Sequence, residues 1–268
     1  MSTRTSSSRL GALIVALAAC TGALASLPTL AHALNERVHL TTSFKPNRLG
    51  VQTTFRFAFT IAADRNQPSP LTEVDLHLPA GIGLATSSLG LAICETAQLE
   101  KEGLTACSPN SLVGHGSAAV QAPFEDSPIE EPALVFAVMG PQDGEYLTIL
   151  FYAEGSTPIS AQLVFPGHVL ADANPFSGRL DTVVPPIPTV PEGPFVAVTR
   201  FSTTIGPAGL TYYRRYHGRR VPFRPRGIVI PKTCPRGGFP FTVDFGFMDG
   251  VRLKVHKPVP CPPRRRRH

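Results

Sequence analysis

The sequence predicts an all-β protein: an antiparallel β-sandwich, as one large or two tandem Ig-like sandwiches, with one short helix near residues 95–102. Three observations predict it. Apolar residues recur at every second position along many short segments. Proline and glycine, 28 and 23 of the 268 residues, fall mainly between those segments. Four of the five cysteines lie beyond the amino-terminal segment, an even number suited to pairing. Proline and glycine together stay below the roughly 25–30% that marks a low-complexity chain. With 43% apolar residues, a core can be built.

The first 33 residues read as a secretory signal peptide. Arg4 and Arg9 form a positive start, Leu10–Leu34 carries no charge, and Ala31-His32-Ala33 is an A-x-A cleavage pattern, with the cut after Ala33. Two alternatives stay open. Leu17-Ala18-Ala19-Cys20 resembles a lipobox, which would make a lipoprotein acylated at Cys20, and the uncharged stretch is long enough for an uncleaved anchor. No later stretch approaches the about 18 apolar residues of a membrane helix, so no transmembrane segment is expected after cleavage. The protein is therefore expected to be secreted or associated with the cell envelope.

Residues 34–263 form the β-sandwich region. Phe55, Phe57, Phe59 and Ile61 alternate with polar or small residues, as do Val74, Leu76 and Leu78. Phe239, Phe241, Val243, Phe245 and Phe247, then Val251, Leu253 and Val255, repeat the pattern. Such stripes put one face on a core and the other in water. The apolar runs Ala133–Met139 and Tyr146–Ala153 predict central strands covered on both faces. Asp249-Gly250 predicts a two-residue type I′ hairpin loop. In that register Cys234 would face position 265, four beyond Cys261, so a loop at Pro235-Arg236-Gly237-Gly238 must absorb the difference. Glu95–Glu102 reads as the helix, with Gly103 as its C-cap. Gly114-His115-Gly116-Ser117 reads as a glycine-rich strand edge or bulge. The proline-rich run from Pro185 to Pro191 marks a candidate subdivision at 185–194, or a stiff crossover between sheets.

Cys94, Cys107, Cys234 and Cys261 allow three pairings. Short loops close with less entropy loss, which favours Cys94–Cys107 and Cys234–Cys261, each worth roughly 3–4 kcal/mol in the chain-entropy account. No C-x-x-C is present and no histidine has finger-like spacing from these thiols, so no metal is assigned.

Charge is divided along the chain. Residues 34–178 hold 6 Lys/Arg against 15 Asp/Glu, and residues 179–263 hold 13 against 4. The densest basic segment supplies the candidate anion- or glycan-binding residues: Arg214, Arg215, Arg219, Arg220, Arg224 and Arg226, interleaved with Tyr213 and Tyr216. Arginine forks suit carboxylate and phosphate, and tyrosine rings stack on sugar faces. The partners implied are an anionic cell-wall polymer or lipid head groups; export argues against nucleic acid. The other reading is an exposed hairpin paired with the acidic half. Residues 264–268 form a disordered basic tail. Glu125-Asp126-Ser127-Pro128-Ile129-Glu130-Glu131 reads as a solvated loop, since no calcium-loop spacing is present.

No nucleophile elbow, H-E-x-x-H, phosphate loop or dinucleotide fingerprint occurs. No catalytic residue and no cofactor is assigned. His77 and His256 fall on polar stripes and are expected to be exposed. With no Trp and five Tyr, the aromatic platform of a carbohydrase is thin. The reading is an exported, non-catalytic, envelope-associated binding or structural protein. The alternative is a secreted hydrolase on a β-sandwich scaffold. No oligomeric state is assigned.

Three phrases carry a resemblance: Leu78-Pro79-Ala80-Gly81-Ile82, the run from Cys107 through Ser108-Pro109-Asn110-Ser111 to Gly114, and Thr233-Cys234-Pro235. The chain resembles uncharacterised exported β-rich proteins of high-GC Gram-positive soil bacteria. In those, L-P-x-G ends a strand and C-P-x-x-S-x-x-G precedes the next. Ser108 departs from the Cys-Pro dipeptide. The resemblance implies an exported β-sandwich and carries no activity.

Overall fold

The alternating stripes become strands in a computed structural model, which describes residues 36–64, 67–124, 127–155 and 161–262. The signal segment with Cys20, the acidic pair Glu125-Asp126 and the tail Arg264–His268 lie outside the described residues. In chain order the strands are β1 (Arg37–Lys45), β2 (Gln52–Ala62), β3 (Leu71–Pro79), β4 (Leu112–Ala122), β5 (Ile129–Met139), β6 (Leu147–Gly155) and β7 (Ala161–Ala171). There follow β8 (Phe176–Val183), β9 (Ala197–Ile205), β10 (Tyr212–Tyr216), β11 (Arg219–Phe223), β12 (Ile228–Val229), β13 (Thr242–Phe247) and β14 (Arg252–His256). The one α-helix among them, α1, spans Thr96–Glu102.

All but β10 and β11 join one antiparallel sheet. Its order is β1-β2-β9-β4-β5-β6-β7-β8-β3-β13-β14, with β12 added beside β2. The two stacked sheets expected from the sequence are replaced by a single ladder that curls until its ends nearly meet. Thr42 on β1 donates from Oγ1 to the carbonyl of Lys257, just beyond β14, at 3.1 Å, and Asn47 donates to the carbonyl of Pro260 at 3.1 Å. Local alternation fixes which face is buried. It does not fix whether that face closes on a second sheet or on itself. The segment 185–194 links β8 to β9 within this sheet, and the compact unit runs through it undivided.

The side of the barrel next to the seam is filled by phenylalanine. Phe55 of β2 stacks on Phe241 at 4.9 Å between ring centroids, and Phe59 meets Phe245 of β13 edge-on at 5.1 Å. Since β2 and β13 are not neighbours in the ladder, these contacts cross the interior. Each buried phenylalanine contributes roughly 1.5–3 kcal/mol, and each ring pair about 0.5–1.5 kcal/mol more. Phe239, Phe241, Val243, Phe245 and Phe247 are all buried, as their stripe predicts.

β5 and β6 are covered on both faces, as their apolar runs predict. Val135, Ile149 and Phe151 point inward, while Val138, Leu150 and Tyr152 point outward beneath Leu99 of α1. The Cys94–Cys107 disulfide holds that helical segment in place, and the amide of Cys94 donates to the carbonyl of Met139 at 2.8 Å. Gly103 caps α1 with φ 69°, its N–H donating to the Leu99 carbonyl. Elsewhere β2, β3 and β14 present polar residues outward. That is the reverse of a membrane-spanning barrel, whose outer band is apolar.

The hairpin of β13 and β14 differs from expectation by one residue. Phe245 faces Leu253 and Phe247 donates to the carbonyl of Val251 at 3.0 Å, so the loop is Met248-Asp249-Gly250, three residues long. Gly250 at φ 88° supplies the left-handed position that such a loop requires. The same register continues to the Phe239–Val259 bridge. The turn at Pro235–Gly238 absorbs the remaining offset, and Cys234 pairs with Cys261.

Gly114-His115-Gly116-Ser117 lies inside the ladder rather than at its edge, with a register shift between Leu112 and Gly114. β9 crosses β4 so closely that a Cβ on Gly116 would run into the Ser202 carbonyl oxygen. Gly116→Ala is therefore expected to lower unfolding free energy by about 2 kcal/mol, read from the denaturant midpoint. Gly83→Ala, where a Cβ meets nothing within 4 Å, is the neutral control. Equal midpoints for the two variants would contradict the close crossing.

Candidate functional site

The basic segment folds as a separate two-stranded hairpin of β10 and β11. His217 and Gly218, at φ 48° and 76°, make its two-residue turn. Tyr212 anchors it. Its side chain is fully buried, its hydroxyl donates to the Leu112 carbonyl at 2.6 Å, and it accepts from the Gly90 amide at 2.8 Å. Burial pushes the Tyr212 phenol above its ordinary pKa. Asn110 grips the hairpin backbone from the other side: its amide donates to the Tyr213 carbonyl and accepts from the Tyr213 N–H, both at 2.8 Å.

The six arginines do not all converge on one groove: Arg214, Arg215 and Arg220 line a surface hollow with Tyr213 and Asn110, and the others lie outside it. Strand alternation puts Arg215 directly opposite Arg220, on the face that carries Tyr213, and the Arg220 guanidinium lies 4.0 Å from the Tyr213 ring centroid. Arg214 and Arg219 lie on the other face with Tyr216, and Arg214 reaches over Phe223 at 5.6 Å. Arg224 and Arg226 follow beyond β11 and are exposed. Two arginine ion pairs found elsewhere join the acidic and basic parts of the sequence, Arg252–Glu73 at 2.7 Å and Arg200–Glu130 at 3.6 Å. Among the described residues, none of the six hairpin arginines joins such a pair. Directly opposed like charges on a sheet are unfavourable, and Arg215 stands so against Arg220.

A second feature was not read from the sequence. Away from the phenylalanine-filled side the barrel is hollow, with a cavity of about 590 Å³ lined from β2 through β9. Small inward-facing residues, Ala118, Ala133, Ala153, Gly155 and Ala161, line it beside larger ones such as Phe151 and Phe165. Leu163, Phe165, Val169 and Leu180 point inward yet are only half-buried, because they face the cavity. Exposed lining residues mark where it meets the surface: Gly83, Thr86, Ala171 and Ser177 at one end, and Gln162 and Pro188 at the other. The segment 185–194 lines the latter end through Ile187, Pro188 and Thr189. The lining includes one ionisable side chain, Glu131.

A polar cluster lies outside, across β8, β3 and β13. His77 is half-buried rather than exposed, because cross-strand neighbours enclose it. Nδ1 lies 2.6 Å from Asp172 and Nε2 lies 3.0 Å from Asp244. Asp244 is 167 residues away in sequence, which is why the polar stripe gave no sign of it. His256 is exposed as expected and meets Thr242 Oγ1 at 2.7 Å. Arg179 forks onto Asp181, which faces Asp75 across the ladder. Burial, the Asp181 carboxylate and the neighbouring Glu73 push Asp75 up to about 6. Among the described residues no group of three His, Cys, Asp or Glu side chains is arranged to hold a metal ion. No helix among them is long and apolar enough to cross a membrane.

No family model, no curated protein and no solved structure matches the chain.

The raised Asp75 sets a direction of pH dependence. Its folded value of about 6 exceeds the ordinary 3.8, so the stability it contributes is full below 3.8 and is lost as pH rises through 6. Asp75→Asn, whose amide can donate to the neighbouring carboxylates, is expected to raise the melting temperature near neutral pH and to leave it unchanged in acid. A uniform shift at every pH would contradict the assignment.

Proposed function

We propose that the protein is an exported, envelope-associated and non-catalytic binding protein whose barrel cavity takes the apolar part of its ligand. The observation that carries this is the apolar cavity of about 590 Å³, within the size range of small-molecule sites. Water inside such walls finds few partners, so an apolar chain that displaces it gains free energy. At about 0.8 kcal/mol per buried methylene, ten methylenes contribute roughly 8 kcal/mol before the association cost of about 4–15 kcal/mol. The ligand therefore needs a long apolar chain.

Export is supported by two disulfides, which persist in oxidising compartments. Envelope association is supported by the exposed hairpin arginines Arg214, Arg215, Arg219 and Arg220, suited to an anionic wall polymer or lipid head groups. The non-catalytic reading is supported by a lining with one carboxylate and no histidine. The exterior His77 has both ring nitrogens against carboxylates, which leaves neither to activate a nucleophile.

The test uses the neutral dye N-phenylnaphthylamine, whose fluorescence rises in apolar surroundings. Saturable binding is expected for the native protein, and loss of at least about tenfold in affinity for Ala153→Trp, which fills the hollow side. The chain has no tryptophan, so emission from the introduced indole reports whether it is buried. A buried indole with unchanged dye affinity would contradict the reading.

A further inference from the structure

We propose that the ligand is a single-chain anionic amphiphile, its chain inside the barrel and its carboxylate or phosphate head held at the rim by Arg224 and Arg226. This rests on the cavity being a binding site, and it adds the charge of the ligand and its orientation.

Backbone pairing carries the placement. Leu84 bridges Ile228, the amide of Ala85 donates to the Gly227 carbonyl at 3.2 Å, and the amide of Arg226 donates to the Ser88 carbonyl at 3.3 Å. Leu84, Thr86 and Ile228 all line the cavity, so the backbone of Arg226 is stitched to its rim. The rest of this rim comes from the β7–β8 turn, where the amide of Ala80 donates to the Pro175 carbonyl at 3.2 Å and Ser177 Oγ donates to the Pro79 carbonyl at 3.3 Å. The carboxylate on that turn, Asp172, is already engaged by His77 and by the Ala173 amide. Arg224 and Arg226 are exposed, and neither forms an ion pair among the described residues.

Orientation follows from the charges. Among the described residues no cation lines the interior, so an anionic head cannot be held deep inside at low cost. The apolar walls and the arginine-bearing rim together fit a molecule that is apolar along its length and negative at one end.

The probes are dodecanoate, dodecyl phosphate and dodecanol, each competing with N-phenylnaphthylamine on the full secreted chain. Both anions are expected to bind about tenfold tighter than the alcohol at low salt. The double variant Arg224→Gln/Arg226→Gln should remove that advantage and leave dodecanol unchanged. Added salt should do the same to the unaltered protein, which asks the question without any variant. If the alcohol binds as well as both anions and neither salt nor substitution matters, the head-group assignment is wrong while the cavity stands. If the dye and all three chains fail to bind, it is the cavity reading that has failed. A preference for one anion over the other identifies the head.

Discussion

Where β1 meets β14, the two free edges of an eleven-strand path come within side-chain reach, and rings from opposite walls fill the space behind the seam. Phe44 packs edge-on against Phe239 at 5.7 Å, and Phe55 stacks on Phe241 at 4.9 Å. This contact holds the sheet curled. It also protects two edges that would otherwise offer unpaired backbone to other chains. With the near side pinned by large rings, the far wall of β4 to β8 stands off from it, and Ala118, Ala133, Ala153, Gly155 and Ala161 add little side chain to the gap.

Much of this was legible locally. The stripes from Phe55 to Ile61 and from Phe239 to Phe247 predict buried faces, and both are buried. The short-loop pairing of cysteines, the helix ending at Gly103 and the double-sided burial of Ala133–Met139 all follow from residues close together in sequence. What was not legible is non-local. β9 inserts between β2 and β4, and β13 attaches to β3, which turns expected sandwich layers into one ladder. Inward-facing Leu163, Phe165 and Val169 carry the same alternation whether they meet a core or a cavity, so no pattern along the chain separates the two. The hairpin loop at Met248–Gly250 shows a smaller version of the same limit: Asp-Gly signals a turn, and cross-strand pairing decides its length.

The charge division reads differently once folded. Strands from the acidic and basic parts of the chain interleave, and Arg252–Glu73 and Arg200–Glu130 neutralise part of it within the barrel wall. The six arginines of residues 214–226 remain outside that compensation. Alternation distributes them over two hairpin faces and a trailing segment, so only Arg214, Arg215 and Arg220 share a surface hollow, with Tyr213. Of the trailing pair, Arg226 pairs through its backbone with Ser88, next to the Leu84–Thr86 stretch of the cavity wall. His77 shows the opposite outcome, a polar-stripe residue drawn into a network by partners far away in sequence.

Whether the hollow side of the barrel receives an apolar chain is read from the methyl resonances of the purified protein during titration with dodecanoate. Saturable shifts are predicted for Ala153, Leu163, Val169 and Leu180, with Leu40 and Val243 on the filled side unmoved. Shifts confined to surface methyls, or none on the cavity wall at saturating ligand, would contradict it.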